Sequence, residues 1–361
     1  MKVIKFGGSS LATAERILIA RNIVLSDTAR RFVVVSAPGK FGETSKVTDL
    51  LIQAHTQLCI SGQSDSLNQV IKRFENLGAE LDVDISHELD RCLDEAHINN
   101  CSRDFIISRG EYLMGILFAK LLGFRFVDAT RLITIKANGK VDEAATRKKF
   151  GKFVSSGSDR GIVIGGFYGQ LVGSNPTVKT FSRGGSDYSG AIAAVMLGAR
   201  TYENFTDTYG VQTANPAIVG DTATIWRLDY GTLHRLADAG ASVIYPECLP
   251  LLRRYSVPMV VDNTMDAGRR YTTVTQDKPA EPFFSITYQT QSNINKHTAT
   301  VLVVYHQVPF DVRALFKILA GLDVYLTGFQ GRGRTSGDIH LLSTTEHLDE
   351  VVKKLHNHFS M

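Results

Sequence analysis

Four short stretches of the chain combine residue types that hold anions and orient charge. Lys5-Phe-Gly-Gly-Ser-Ser10 lies where a first strand should end and a helix begin. Its paired glycines, Gly7 and Gly8, let backbone N–H groups approach an anion. The helix N-terminus adds positive potential and Lys5 adds a full charge. A tight strand-to-helix turn with a surface lysine is the competing reading. The loop is neither GxxxxGK[ST], which occurs nowhere in the chain, nor the dinucleotide GxGxxG. Phe181-Ser-Arg-Gly-Gly-Ser-Asp187 repeats the arrangement before a second helix. Ser186 or Asp187 is expected to cap that helix, Gly184 and Gly185 to open an anion nest, and Arg183 to offer a planar fork for a carboxylate or phosphate. Thr206-Asp-Thr-Tyr-Gly-Val-Gln-Thr-Ala-Asn-Pro216 is polar and turn-rich, a fitting wall for a nucleotide beside two anion loops. In Ser108-Arg-Gly-Glu-Tyr112, Glu111 is read as the start of a helix over 111–122. There it is a first-turn charge unless a cationic ligand group lies nearby.

The elements that must position these loops alternate. Apolar β-type runs are expected at 3–6, 31–36, 124–128, 161–165, 178–181, 201–205 and 257–262, with helical patterns at 13–25, 111–122, 188–197 and 228–238. Strands alternating with helices imply an α/β domain with a mainly parallel sheet covered on both faces. Ligands gather at the carboxyl ends of such strands, where the first loop lies. A polar, proline-bearing stretch at 272–282 reads as a boundary. Beyond it the order β-α-β-β-α over 298–359 is a ferredoxin-like unit short of its last strand, preceded by a strand at 284–290. Two domains follow, 1–272 and 283–361.

The composition excludes several classes. The 361 residues are 43% hydrophobic and 21% charged, which rules out a disordered or collagen-like chain. A net charge of +4 without a basic block argues against nucleic acid as a partner. No apolar run approaches the ~18 residues of a membrane span. The N-terminus passes directly into a strand pattern, so a soluble cytoplasmic protein is expected. Cys59, Cys92, Cys101 and Cys248 lack CxxC spacing and read as reduced, buried thiols. Six of the ten histidines lie in the tail, but His356 and His358 are two apart and cannot share a helix face. They are expected at the surface, and no protein-held metal site is expected.

Taken together, Lys5–Ser10, Ser182–Asp187 and Thr206-Asp207…Gly210 resemble the aspartate kinases of the amino-acid kinase superfamily. Ser36-Ala-Pro-Gly39 followed by Val47-Thr-Asp-Leu-Leu51, Arg109–Leu113, Gly166-Phe-Tyr-Gly169 and Gly240-Ala-Ser-Val-Ile244 fall in the same family order, so the resemblance spans about residues 1–270. It implies a three-layer αβα kinase sandwich and a reduced ACT-like regulatory or dimerisation domain. The implied reaction is transfer of the ATP γ-phosphoryl, with Mg²⁺ riding on ATP, to the side-chain carboxylate of L-aspartate. The product, 4-phospho-L-aspartate, leads to lysine, threonine and methionine. By the same resemblance Lys5 contacts the transferring phosphoryl and Asp187 orients Lys5. Arg183 holds the α-carboxylate, Glu111 the α-ammonium, and Thr48 and Ser186 fix the substrate. Gly7, Gly8, Ser9, Gly184, Gly185, Thr206, Asp207 and Gly210 fall on the nucleotide loops, and a homodimer is implied.

An aspartate side chain, with a pKa of ~3.9, is already ionised at neutral pH. The attacking oxygen therefore needs no general base, and the site must supply alignment and charge stabilisation. The chain departs from the family pattern on the nucleotide side, with Gln212 where tyrosine is common, Ala217 after Asn215-Pro216, and Ser242 in place of a lysine. Two further readings stay open: a paralogous kinase for a related amino-acid carboxylate, and a non-catalytic amino-acid-binding regulatory subunit.

Overall fold

The computed structural model of the chain describes residues 1–98, 102–155, 160–173, 177–182, 184–269, 271–293, 296–331 and 335–360. Contacts gather them into two units, Met1–Asp207 with Val257–Gly268, and Thr208–Ser256 with Arg269–Met361.

The first unit is built on strands in the order Arg125–Phe126, Ile162–Gly165, Arg30–Val35, Lys2–Phe6, Thr201–Thr206 and Met259–Asn263. Each pair is parallel. Alternation along Lys2–Phe6 decides the site. Ile4 and Phe6 point into an apolar core shared with Ile17, Val33, Val35 and the helices between 47 and 122. Lys5, between them in sequence, must then face the opposite side of the sheet. There it meets Asp187 of the helix Gly185–Met196, which packs on this strand and its neighbours.

Four helices, Val47–Ser61, Asp65–Glu80, Ser86–Ile98 and Arg103–Leu122, fill the long connection between Arg30–Val35 and Arg125–Phe126. Asp65–Glu80 is amphipathic: Leu67, Val70, Ile71, Phe74 and Leu77 recur at three- and four-residue steps on its buried face. Arg103–Leu122 is nearly all buried, with Ile106, Leu113, Leu117 and Phe118 among its core residues. It starts eight residues before the expected 111. Ser102 is its N-cap, accepting a hydrogen bond from the Phe105 N–H. A small sheet of Thr134–Ile135, Tyr168–Leu171 and Thr177–Thr180 completes the described unit.

In the second unit Arg227–Asp229 and Tyr271–Thr275 pair in parallel. A separate antiparallel sheet runs in the order Phe283–Asn293, Lys296–His306, Gly337–Thr344, Val324–Gly331. Helices Val312–Ile318 and Leu348–Ser360 contribute Leu315, Val351, Val352, Leu355 and Phe359 to its core. The β-α-β-β-α order over the tail is present. The strand this unit lacks at its end comes from before it: Phe283–Asn293 occupies the edge beside Lys296–His306 that the missing strand would take.

His356, expected at the surface, is buried. Its Nε2 lies 3.0 Å from the Thr213 hydroxyl, its Nδ1 faces Ser360, and its ring meets the edge of Phe284. Cys92 and Cys248 are buried as expected, whereas Cys59 is exposed and Cys101 lies outside the described residues. Among the described residues no helix is long and apolar enough to cross a membrane.

Candidate active site

Lys5, next to last in the first strand, has its Nζ 2.5 Å from Asp187 Oδ1, both side chains largely withdrawn from solvent. Asp187 is in the first turn of Gly185–Met196, and neither it nor Ser186 caps that helix as expected. The N-cap is Gly184, without a side-chain hydrogen bond, at φ 85°. That left-handed conformation is costly for a residue bearing a Cβ. The turn sets Asp187 in the first helical turn with its carboxylate on the lysine.

The first loop is fixed against the second by backbone contact. Gly39 N–H donates to Gly8 O at 2.8 Å. A Cβ on Gly39 would stand 2.7 Å from Gly8 C, and one on Gly8 would stand 2.8 Å from Ala37 O. The two loops can lie this close only because both residues lack a side chain. Gly7 N–H donates to Phe205 O at 2.9 Å, anchoring the loop to the adjacent strand. Thr48 sits in the first turn of Val47–Ser61, whose Val47 N–H donates to Pro38 O in that second loop.

Glu111 is not at a helix start. It is in the middle of Arg103–Leu122 and only 4% exposed. It accepts a hydrogen bond from the Ala37 N–H, while its Oε2 has no partner among the described residues. Burial outweighs that hydrogen bond and pushes its carboxyl up to about 8. An orphaned buried carboxylate oxygen is a standing demand for a donor.

A cleft of about 770 Å³ is lined by Lys5, Gly8, Ser9, Thr48, Glu111, Gly184, Gly185, Ser186, Asp187 and Asp207. Ten of the residues singled out from sequence thus share one space. Gly7 adjoins it, since a Cβ there would be 3.5 Å from Lys5 Nζ. Thr206 bonds its hydroxyl to Asp207 Oδ1 at 3.1 Å, and Asn263 holds the Asp207 carbonyl. Gly210, at φ 70°, belongs to the second unit. Arg183 lies outside the described residues.

Sequence reasoning missed Lys40, Lys46 and Arg103, which add cations to the cleft wall. Arg103 carried a readable signal. A cation in the first turn opposes the helix macrodipole, so a reason for it was to be sought elsewhere. Among the described residues no group of three or more His, Cys, Asp or Glu side chains is placed to hold a metal ion.

Residues 1–263 match the amino acid kinase family. The chain belongs to that family. Among curated relatives, Aspartokinase 3 of Bacillus subtilis (strain 168) is 34% identical over 293 residues, covering 76% of this chain and 63% of that protein. The aspartokinase of Chlamydia pneumoniae is 30% identical over 280 residues, covering 73% of this chain and 60% of its own length. The chain therefore spans less than two thirds of these relatives. The crystal structure of Clostridium acetobutylicum aspartate kinase superposes with a TM-score of 0.84 at 25% identity, covering 99% of this chain and 100% of that one. E. coli aspartokinase III, solved in complex with aspartate and ADP, shares the fold with a TM-score of 0.80 at 20% identity, each chain covered completely. This amino acid kinase thus carries the family's α/β fold followed by an ACT-like antiparallel sheet with two helices.

Proposed function

We propose that the chain is an aspartate kinase, transferring the γ-phosphoryl of ATP to the side-chain carboxylate of L-aspartate to give 4-phospho-L-aspartate and ADP. The observation that carries this reading is Glu111. A buried carboxylate with an unpartnered oxygen, opening on the same cleft as the Lys5–Asp187 pair, suits a ligand that brings an ammonium group beside a phosphoryl acceptor. The likeness to aspartokinases of known name supports the choice of amino acid.

In this reading a side-chain oxygen of aspartate forms the new P–O bond as the bond from the γ-phosphorus to the ADP oxygen breaks. No proton has to move, because the acceptor is already ionised. Lys5 and the loop amides of Gly7 and Gly8 stabilise charge on the phosphoryl in flight, and Asp187 keeps Lys5 aimed. Glu111 receives the α-ammonium, Arg183 the α-carboxylate, and Thr48 and Ser186 fix the rest. Ser9, Gly184, Gly185, Thr206, Asp207 and Gly210 are assigned to the nucleotide. Mg²⁺ enters as part of the MgATP substrate. Residues 1–272 are read as catalytic and 283–361 as a regulatory or dimerisation domain of a cytoplasmic homodimer.

The test is an acyl-phosphate trap. Protein, MgATP, L-aspartate and hydroxylamine should yield aspartyl hydroxamate, and Lys5→Ala should lower the rate about 10²–10³-fold, the scale of losing one transition-state donor. Aspartate bound without hydroxamate formation would favour a regulatory subunit instead.

A further inference from the structure

Arg73 lies outside the cleft lining, on the helix Asp65–Glu80, and no family motif covers it. Its guanidinium is half-buried, and among the described residues no carboxylate forms an ion pair with it. It is spent on three backbone carbonyls instead. Nη1 donates to Ser45 O at 2.5 Å, and Nη2 donates to Gly39 O at 2.6 Å and to Ala12 O at 3.2 Å. Desolvation without a counter-ion pulls its pKa below the usual arginine value. Such burial has a cost, and what it secures is geometry.

The three acceptors are not neighbours in sequence. Ala12 follows the turn Ser9–Leu11 that leaves the first loop. Gly39 is the residue whose N–H holds Gly8 O, and whose bare Cα lets Gly8 and Ser9 lie against it. Ser45 is two residues before the helix that carries Thr48. One planar fork therefore fixes the exit of the phosphate-facing loop, the apex of the second loop and the approach to the helix that presents Thr48. Arg16 reinforces the same joint, donating to Ser9 O at 2.7 Å and lying 4.9 Å over the Phe41 ring.

We propose that Arg73 is a positioning residue that locks the Gly8–Ser9 backbone and the Thr48 helix into one register, so that phosphoryl donor and carboxylate acceptor are held at a fixed separation. The kinetic part of this inference rests on the aspartate kinase reading; the locking of the two loops does not. A displacement of about 1 Å between reacting groups costs on the order of 10²-fold in rate. Lysine is a poor replacement, because an ammonium on a flexible stem lacks the fork that reaches three carbonyls at once.

Arg73→Met and Arg73→Lys are compared with wild type by hydroxamate kinetics and by amide hydrogen exchange on the intact chain. The expected result is a kcat loss of 10- to 100-fold in Arg73→Met with KM for ATP within about threefold, and an intermediate loss in Arg73→Lys. Exchange should rise together in segments 7–12 and 37–48. Gly39→Ala should reproduce the kinetic loss, and the double variant should be no worse than the poorer single one, since both break the same joint. Faster exchange confined to 65–80, or multiplicative losses in the double variant, overturns the proposal. If Arg73→Met does not fold, Arg73→Lys and Gly39→Ala carry both readouts. A wild-type protein that makes no hydroxamate sinks the activity reading alone, and the exchange pattern then decides the role of Arg73.

Discussion

The strongest demand the site makes on experiment concerns pH. With its carboxyl pushed up to about 8, Glu111 is mostly protonated at neutral pH. About one molecule in ten carries the charge at pH 7, and the remainder must lose a proton before an ammonium can pair with it, a cost of about 1.4 kcal/mol. The apparent dissociation constant for aspartate should scale as one plus ten to the power of (8 − pH). Affinity therefore improves about fiftyfold between pH 6 and pH 8 and levels off above. Neither carboxylate of aspartate titrates in that window, so the slope belongs to the protein. Isothermal titration in two buffers of different ionisation enthalpy should also register proton release on binding.

Replacing Glu111 by Gln removes both the charge and the titration. Loss of one partner of a buried charged pair costs about 2–5 kcal/mol of affinity, so above pH 8, where Glu111 is ionised, aspartate KM should rise at least about thirtyfold, and it should lose its pH dependence. Stability should move the other way. A folded-state pKa raised above the unfolded value means that the folded chain holds the proton longer. Wild-type stability thus falls as pH rises from about 4.5 to about 8, by up to about 4 kcal/mol. Glu111→Gln escapes that loss, so its Tm advantage should be absent near pH 5 and grow towards pH 8. A wild-type KM for aspartate that is flat from pH 6 to 8, together with an unchanged KM in Glu111→Gln, would refute the assignment of Glu111.

Three further outcomes are expected. Gly7→Ala has ordinary room, its nearest neighbours at 3.5 Å, so Tm should hold while activity falls, because the new methyl stands beside Lys5 Nζ; equal losses in Tm and activity would argue against an anion at this loop. Gly8→Ala meets backbone at 2.8 Å and should lose about 1–3 kcal/mol of stability as well as activity, measured by urea unfolding. Burial lowers the pKa of His356, so the stability it contributes is present above pH 6.5 and is lost as pH falls below it. A Tm scan of wild type against His356→Gln from pH 7.5 to 5 should therefore converge towards the acid end, and parallel curves would contradict a neutral buried imidazole.

What was legible in the chain was mostly short-range. Lys5 could be placed because a strand end, two glycines and a cation lie within six residues, and strand alternation then decides which face the lysine takes. The environment of Glu111 was not legible. Its burial depends on the start of its helix at Ser102 and on the Ala37 N–H, more than seventy positions away. The surface expectation for His356 rests on its place in the tail and leaves out the helical period. It lies four residues after Val352 and three before Phe359, on the buried stripe of Leu348–Ser360, so the helical period already placed it inside. The ferredoxin-like unit reads as short of its last strand because chain order alone does not show that the preceding strand, expected at 284–290, fills that edge of the sheet. Arg73 had no signature because its partners are backbone carbonyls, which every residue carries.

The cleft also shows how a polar pocket avoids the cost of unpaired buried charge. Lys5 is matched by Asp187 at 2.5 Å, and Glu111 keeps its proton. An isolated ion in either place would carry a desolvation penalty of several kcal/mol. In the aspartate kinase reading, aspartate would alter this balance on arrival, because its ammonium would make deprotonation of Glu111 favourable and the released proton would go to solvent. A substrate lacking that ammonium, such as an N-acylated amino acid, leaves Glu111 protonated and gains nothing from it. Discrimination between aspartate and its N-acylated form should therefore be small near pH 6, where most of the cost of ionising Glu111 must be met, and widen towards pH 8. Comparing hydroxamate rates for the two acceptors at these pH values tests the point. A preference that is constant across the range would mean that some other group reads the ammonium.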